Sequence, residues 1–204
     1  MANLNTQQQL AVDTLSGPLL LLAGAGTGKT TVIVHRIANL IRNGVKAENI
    51  LAVTFTNKAA REMRERIEAL LGNSVQNMQI STFHAFCAGI LRRNIQKLRY
   101  DNNFTIARES YLNGLIRELI AQEGLTNAAL NPAYVLHRIS LAKSDLLSPE
   151  EFLLSENQRD QQIALLYKKY QERLQQMDTL DFDDLLYLTV QLWKQYPELL
   201  QAYQ

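Results

Sequence analysis

Apolar positions in the first hundred residues alternate between short continuous runs and stripes of helical spacing. Leu19 to Ala23 is a continuous run, bounded by Ser16-Gly17-Pro18 on one side and by glycines on the other. It is too short for a membrane span and has the length of a buried parallel strand. Val32, Val34, Ile37, Leu40 and Ile41 then recur on one helical face, predicting a helix from Lys29 to about Asn43 that Asn43-Gly44 ends. Ile50 to Thr54 reads as a second strand, Asn57 to Leu71 as a helix, Val75 to Ser81 as a weaker strand, and Phe83 to about Leu98 as a helix. A short helix, Gln7 to Leu15, precedes them all. Three strand-helix alternations imply a parallel sheet with right-handed crossovers, whose ligands gather at the carboxyl ends of the strands.

Beyond about Tyr100 the pattern is helical throughout, with no further convincing strand. Helices are predicted at Ser110 to Gln122, Ala133 to Lys143, Pro149 to Leu154, Gln158 to Met177, Phe182 to Trp193 and Pro197 to Tyr203. Asn131-Pro132 and Ser148-Pro-Glu-Glu151 are cap-then-proline starts, the second also a capping box. The expected fold class is therefore α/β, a partial phosphate-loop domain with a parallel sheet over residues 1–85 followed by an all-helical subdomain over 86–204.

The chemistry concentrates where the first apolar run breaks into Ala23-Gly-Ala-Gly-Thr-Gly-Lys-Thr-Thr31. Gly24, Gly26 and Gly28 let the backbone turn tightly and aim N–H groups at an anion, with Ala25 and Thr27 between them, and the following helix presents its positive dipole end to the same point. Lys29 can reach the β- and γ-phosphates of a nucleotide, and the Thr30 hydroxyl can hold Mg²⁺, with Thr31 next to it. The usual pattern opens with Gly where this one has Ala23, a mild departure because that position mainly has to be small. Strand, glycines, Lys-Thr and amphipathic helix in the required order favour this reading well above a chance glycine-rich turn. ATP and Mg²⁺ are thus the expected cofactors.

Other segments carry two readings each. Asn5 and Gln8 have capping-box spacing, although an amide such as that of Gln8 also matches the donor and acceptor edge of adenine. Arg36 lies two turns beyond Lys29, within reach of a base held above the loop, but a solvated helix arginine is the default. After the second strand comes Thr54-Phe-Thr-Asn57 and after the third Ser81-Thr-Phe-His84. Phe55, Thr56 and Asn57 together with Thr82, Phe83 and His84 offer aromatic faces, hydroxyls and helix-start donors, the means by which single strands are held without sequence readout. Their bland roles are threonine caps and phenylalanine core. Asp178-Thr-Leu-Asp-Phe-Asp-Asp184 lacks the alternation of calcium loops, so an Asp181 cap with two carboxylates in the first helical turn is favoured over a metal site.

Composition alters this picture in one respect. The net charge of +1 conceals an asymmetry: residues 1–100 hold 12 Lys and Arg against 5 Asp and Glu, and the remainder 9 against 15. A basic half beside a triphosphate loop suits a nucleic-acid-handling motor. The single Cys87 forms no internal disulfide and the start carries no secretory pattern, which together with the lack of an apolar span suit a cytoplasmic protein without membrane contact.

The combination resembles the amino-terminal part of the superfamily 1 DNA helicases of the UvrD, Rep and PcrA type. The residues that carry it are Leu4 to Gln8, Ala23 to Thr30, Ala52 to Met63, Ser81 to His84 and Leu180 to Leu185. The resemblance implies a RecA-like motor domain with an inserted helical subdomain, Gln8 reading adenine and Arg36 lying along that base. It further implies Phe55, Thr56 and Asn57 as one single-strand contact and Thr82, Phe83 and His84 as another, with a duplex junction near the helical half. Such helicases are ATP-dependent and move 3′ to 5′. They carry an Asp-Glu pair on a fourth apolar strand and a second motor domain, neither of which is found before Gln204, so the resemblance is to a fragment, inactive in hydrolysis and prone to self-association through an uncovered sheet edge. A free-standing nucleotide- or DNA-binding module that docks a partner through its helical half is the rival expectation. A small-molecule kinase is disfavoured, since no acceptor site or lid arginines are evident.

Overall fold

The structure, a computed structural model, describes residues 4–24, 26–75, 77–125, 130–152 and 158–203. Two compact units divide the chain, Met1–Phe86 and Cys87–Gln204.

The first unit begins with α1 (Thr6–Asp13), whose capping box is complete. Asn5 Oδ1 accepts from the Gln8 N–H at 2.9 Å and Gln8 Oε1 accepts from the Asn5 N–H at 2.9 Å. The helix α2 (Lys29–Arg42) starts from Gly28 at φ 87°, a left-handed conformation that glycine adopts without cost. Its buried face of Val32, Val34, Ile37 and Ala38 matches the predicted stripe closely. Then follow β1 (Leu51–Thr54), α3 (Asn57–Leu71), β2 (Gln79–Thr82) and α4 (Phe83–Asn94). The strands β1 and β2 pair in parallel, Leu51 opposite Gln79 through Thr54 opposite Thr82. Their apolar faces join α2 and α3 in a core of Val34, Ile37, Ile50, Ala52, Met63, Ile67 and Ile80.

One expected element is missing. Leu19 to Ala23 forms no strand and belongs to neither two-stranded sheet. Leu21 packs against the small cluster of Ala11, Val12 and Val32, while Leu20 and Leu22 are 79% and 88% exposed. The physical reason is pairing: a central parallel strand needs a ladder partner and cover on both faces, and β1 and β2 pair only with each other. Among the described residues of the first unit, two strand-helix alternations, not three, are therefore formed.

The second unit contains β3 (Thr105–Ile106), α5 (Glu109–Gln122), α6 (Pro132–Ser144), α7 (Pro149–Phe152), α8 (Gln158–Gln176), β4 (Thr179–Leu180), α9 (Asp184–Gln195) and α10 (Pro197–Gln201). Helix positions follow the predicted ones to within a residue or two, apart from the predicted end of α7 at Leu154, which lies outside the described residues. The parallel pair β3 and β4 corrects the expectation of a strand-free half; two residues per strand are too few to leave a periodic signal. Leu112, Leu115, Ile116, Val135, Ile139, Ile163, Leu166, Tyr167, Tyr170 and Leu174 form the core between α5, α6 and α8. Cys87 is buried, and that burial raises its thiol pKa, in keeping with a packing role.

Candidate functional site

Gln8, Gly24, Thr27 and Lys29 line one open cleft of about 350 Å³ in the first unit, with Leu21 and Val32 as its apolar wall. Gly26 and Gly28, at φ 74° and 87°, turn the chain from the apolar run into α2. No side chain caps that helix start, so the first-turn N–H groups of Lys29, Thr30 and Thr31 are not taken by a cap. An uncapped helix start, with its positive dipole end, is a favourable place for an anion. Ala25 lies outside the described residues.

The loop is tied by its own side chains. Lys29 Nζ donates to the carbonyls of Ala23 at 2.8 Å and Gly24 at 2.5 Å, and Thr27 Oγ1 donates to Gly24 O at 2.8 Å. From outside the loop, Gln8 Nε2 donates to the Thr27 carbonyl at 3.0 Å across 19 positions of sequence. Gln8 thus serves its predicted cap and reaches the loop with the same amide. Arg36 is half-buried and donates to the Ala11 carbonyl at 2.9 Å, while Asn39 Nδ2 donates to Val12 O at 3.1 Å. These two residues of α2 satisfy the carboxyl end of α1, so Arg36 is not the solvated arginine of the default reading, nor is it among the residues lining the cleft.

The second and third groups of candidates sit at the carboxyl ends of β1 and β2, which neighbour each other in register. Thr56 Oγ1 accepts from the Ala59 N–H at 3.1 Å and Thr82 Oγ1 from the Ala85 N–H at 3.2 Å, so both threonines are caps. The phenylalanines, in contrast, are not core. Phe55 is 93% exposed and Phe83 42%, their ring centroids 5.8 Å apart at 48°. Asn57 is exposed at the start of α3, and His84 is half-buried in the first turn of α4. Two solvent-facing rings, tilted against each other, thus stand beside the Thr56 and Thr82 caps at two neighbouring helix starts.

The second unit holds an ionic cluster that sequence reasoning missed. Lys143, fully buried, donates to Asp181 Oδ2 at 2.6 Å and Asp184 Oδ1 at 2.7 Å. Tyr170 donates to Asp181 Oδ2 at 2.7 Å and Gln171 Nε2 to Asp184 Oδ1 at 3.1 Å. Each aspartate also accepts the other's backbone N–H, at 2.8 and 3.0 Å. Asp181 Oδ1 accepts the first N–H of α9, but the expected cap position falls instead on Asp183, which makes no side-chain cap, and Asp184 is an internal ion rather than an exposed first-turn carboxylate. Burial pushes the Asp184 carboxyl up to about 6, against the pull of Lys143 and helped by the Asp181 charge. Burial also works to raise Asp181, but the Lys143 ammonium and the Tyr170 hydroxyl outweigh it and hold that carboxyl below its ordinary value. The signal was present in α6, where Val135, Ile139 and Lys143 recur every fourth residue and so place the lysine on the core stripe. Among the described residues no group of three or more His, Cys, Asp and Glu could hold a metal ion, and no helix is long and apolar enough to cross a membrane.

The chain belongs to the UvrD/REP helicase N-terminal domain family, whose profile matches residues 4–204. It is similar to the ATP-dependent DNA helicase PcrA of Bacillus subtilis (strain 168), at 44% identity over 206 residues that cover 100% of this chain and 28% of that protein. Against the PcrA helicases of Staphylococcus epidermidis (strain ATCC 35984) and Staphylococcus aureus (strain Mu50) identity is 42% and 40%, each over 204 residues that cover 99% of this chain and 28% of the relative. The chain thus spans little more than a quarter of the length of these relatives.

Proposed function

We propose that this chain is the amino-terminal part of an ATP-dependent DNA helicase that translocates 3′ to 5′ in the cytoplasm, with residues 1–85 belonging to its first motor domain and 86–204 to a helical insertion near the duplex junction. The observation that carries this reading is the convergence of Gln8, Gly24, Thr27 and Lys29 on one cleft at an uncapped helix start, in a chain similar throughout to ATP-dependent helicases.

The residues fit ATP and Mg²⁺. The amides of residues 26–31 and the Lys29 ammonium meet the charge of a triphosphate, and the Thr30 hydroxyl is the oxygen donor for the metal. Bound Mg²⁺ would neutralise charge on the phosphate oxygens. Lys29 has to leave the Ala23 and Gly24 carbonyls to do its part, exchanging two neutral acceptors for an anion, a favourable trade for an ammonium. Single-stranded DNA would stack on Phe55 and Phe83 while the N–H groups and side chains of Thr56, Asn57, Thr82 and His84 approach its backbone. The carboxylates that activate water and the second motor domain would lie in the rest of the longer protein, so the 204 residues alone are expected to turn over ATP negligibly.

Lys29→Ala should reduce ATP affinity by at least about tenfold, in the range of a lost charge-assisted contact, with unchanged melting temperature, read by calorimetric titration. Phe55→Ala should weaken binding of an oligothymidylate by about 1–3 kcal/mol while leaving ATP affinity alone. ATP binding by Lys29→Ala at full strength would remove the loop from the reading. DNA-stimulated phosphate release by the purified chain, lost in Lys29→Ala, would refute the claim of inactivity.

A further inference from the structure

We infer that Gln8 is a positioning residue for the phosphate loop, in addition to any contact it makes with a base. The inference rests on the nucleotide-binding reading above and concerns what holds the loop before a ligand arrives. Gln8 has one side-chain amide and two protein partners for it: its oxygen accepts the Asn5 N–H at 2.9 Å and its nitrogen donates to the Thr27 carbonyl at 3.0 Å. The nitrogen also lies 3.1 Å from where a Cβ on Gly28 would stand, so the left-handed residue that launches α2 leaves room for the amide to reach over it. Among the described residues, the other side-chain bonds to Gly24 and Thr27 are internal to the loop or come from Lys29, and Lys29 is the group that a phosphate would draw away. Once the lysine moves, the Gln8 amide is, among the described residues, the side-chain tie left between the loop and the body of the unit, where α1 is itself fastened to α2 through Arg36 and Asn39.

The geometry has a consequence for recognition. An amide that reads adenine needs both its oxygen and its nitrogen, and both are engaged here. Each atom keeps a second hydrogen-bonding position, so a base could bind without breaking the Asn5 and Thr27 contacts, and a bare polyphosphate would leave them in place as well. Polyphosphate affinity should then depend on Gln8 even though no base is present.

The test is titration of the 204-residue chain and its variants with Mg²⁺-tripolyphosphate and, separately, with Mg²⁺-ATP, each variant checked by circular dichroism and melting. Gln8→Met, which removes donor and acceptor at similar volume, should bind tripolyphosphate about three- to tenfold more weakly, the range of one lost neutral hydrogen bond. Gln8→Glu keeps the acceptor for Asn5 but removes the donor to Thr27, and should lose at least as much. Asn5→Ala removes the helix cap without touching the Thr27 contact, and should stay within twofold of the unaltered chain. Unchanged tripolyphosphate binding in Gln8→Met or Gln8→Glu, with only ATP affected, would overturn the inference in favour of a base reader alone. An equal loss in Asn5→Ala would overturn it in favour of helix capping. If the unaltered chain bound neither ligand, the nucleotide-binding reading itself would fall, a result distinct from both.

Discussion

The two units of this chain both bury an apolar core but differ in their charges: among the described residues, those that are buried lie in the second. In the second, a lysine and two aspartates are sealed inside a core of leucines and tyrosines, every carboxylate oxygen matched by a donor. In the first, Leu20, Leu22, Phe55 and Phe83 face solvent, and Gln8, Thr27 and Lys29 line an open cleft. A unit that hides its ions has to complete its own packing, since an unpaired internal charge is costly. Apolar side chains left in solvent, such as Leu20, Leu22 and Phe55, are the places where a unit can gain from a ligand or partner. Stability and ligand binding should accordingly separate along this division.

The largest effect expected concerns Lys143. Lys143→Met keeps most of the volume but leaves Asp181 and Asp184 buried without a counter-ion, and should destabilise the second unit by about 3–5 kcal/mol, read by urea denaturation followed through helix content. Asp181→Asn combined with Lys143→Met should recover part of that loss, because one of the two stranded charges is gone. A chain that unfolds in Lys143→Met as it did before would mean that the cluster is not sealed and that the contrast between the units is false.

A smaller and pH-dependent effect follows from Asp184. Its carboxyl is raised to about 6 in the folded chain against an ordinary value of 3.8. The folded state therefore binds this proton more readily than the unfolded state, and the associated stabilisation is complete below the ordinary value and lost as pH rises through about 6. Relative to Asp184→Asn, which has no proton to exchange there, the unaltered chain should gain stability progressively as pH falls from about 6 towards 4. The lowered pKa of Asp181 works in the opposite sense, but only below that window, where its stabilising charge is lost. A parallel course for the two proteins from pH 7 to 4 would show that Asp184 is solvated.

How far the sequence disclosed this arrangement follows the same division. Helices of the second unit were legible because their capping residues and stripes are local: Asn131 accepts from the Tyr134 N–H and Ser148 pairs with Glu151, both as the spacing foretold. The ionic cluster was not, because it joins positions 38 and 41 residues apart and only the four-residue recurrence ending at Lys143 hints at it. In the first unit the order of motifs along the chain was readable, and so were the Thr56 and Thr82 caps. What local pattern does not specify is how many of a run's neighbours are present. Leu19 to Ala23 has the composition of a central strand, and composition says what a segment would bury, not whether anything is there to bury it.

That segment also supplies the smallest expected effect and the sharpest comparison. In a central strand, replacing Leu20 and Leu22 by Ser would remove two buried side chains, at about 2–5 kcal/mol each for comparable truncations. With both side chains facing solvent, the double substitution should change stability by no more than about 0.5 kcal/mol. It should at the same time reduce any concentration-dependent association of the chain, because exposed apolar side chains on an unpaired segment are what a second copy would cover. Denaturation and sedimentation of the same two proteins separate the cases. A loss of several kcal/mol in dilute solution would place Leu20 and Leu22 inside the fold, and the first unit would then be as self-sufficient as the second. Unchanged stability with less association would assign the apolar run to an exposed surface, leaving the glycine loop tied to this unit by α1 and α2.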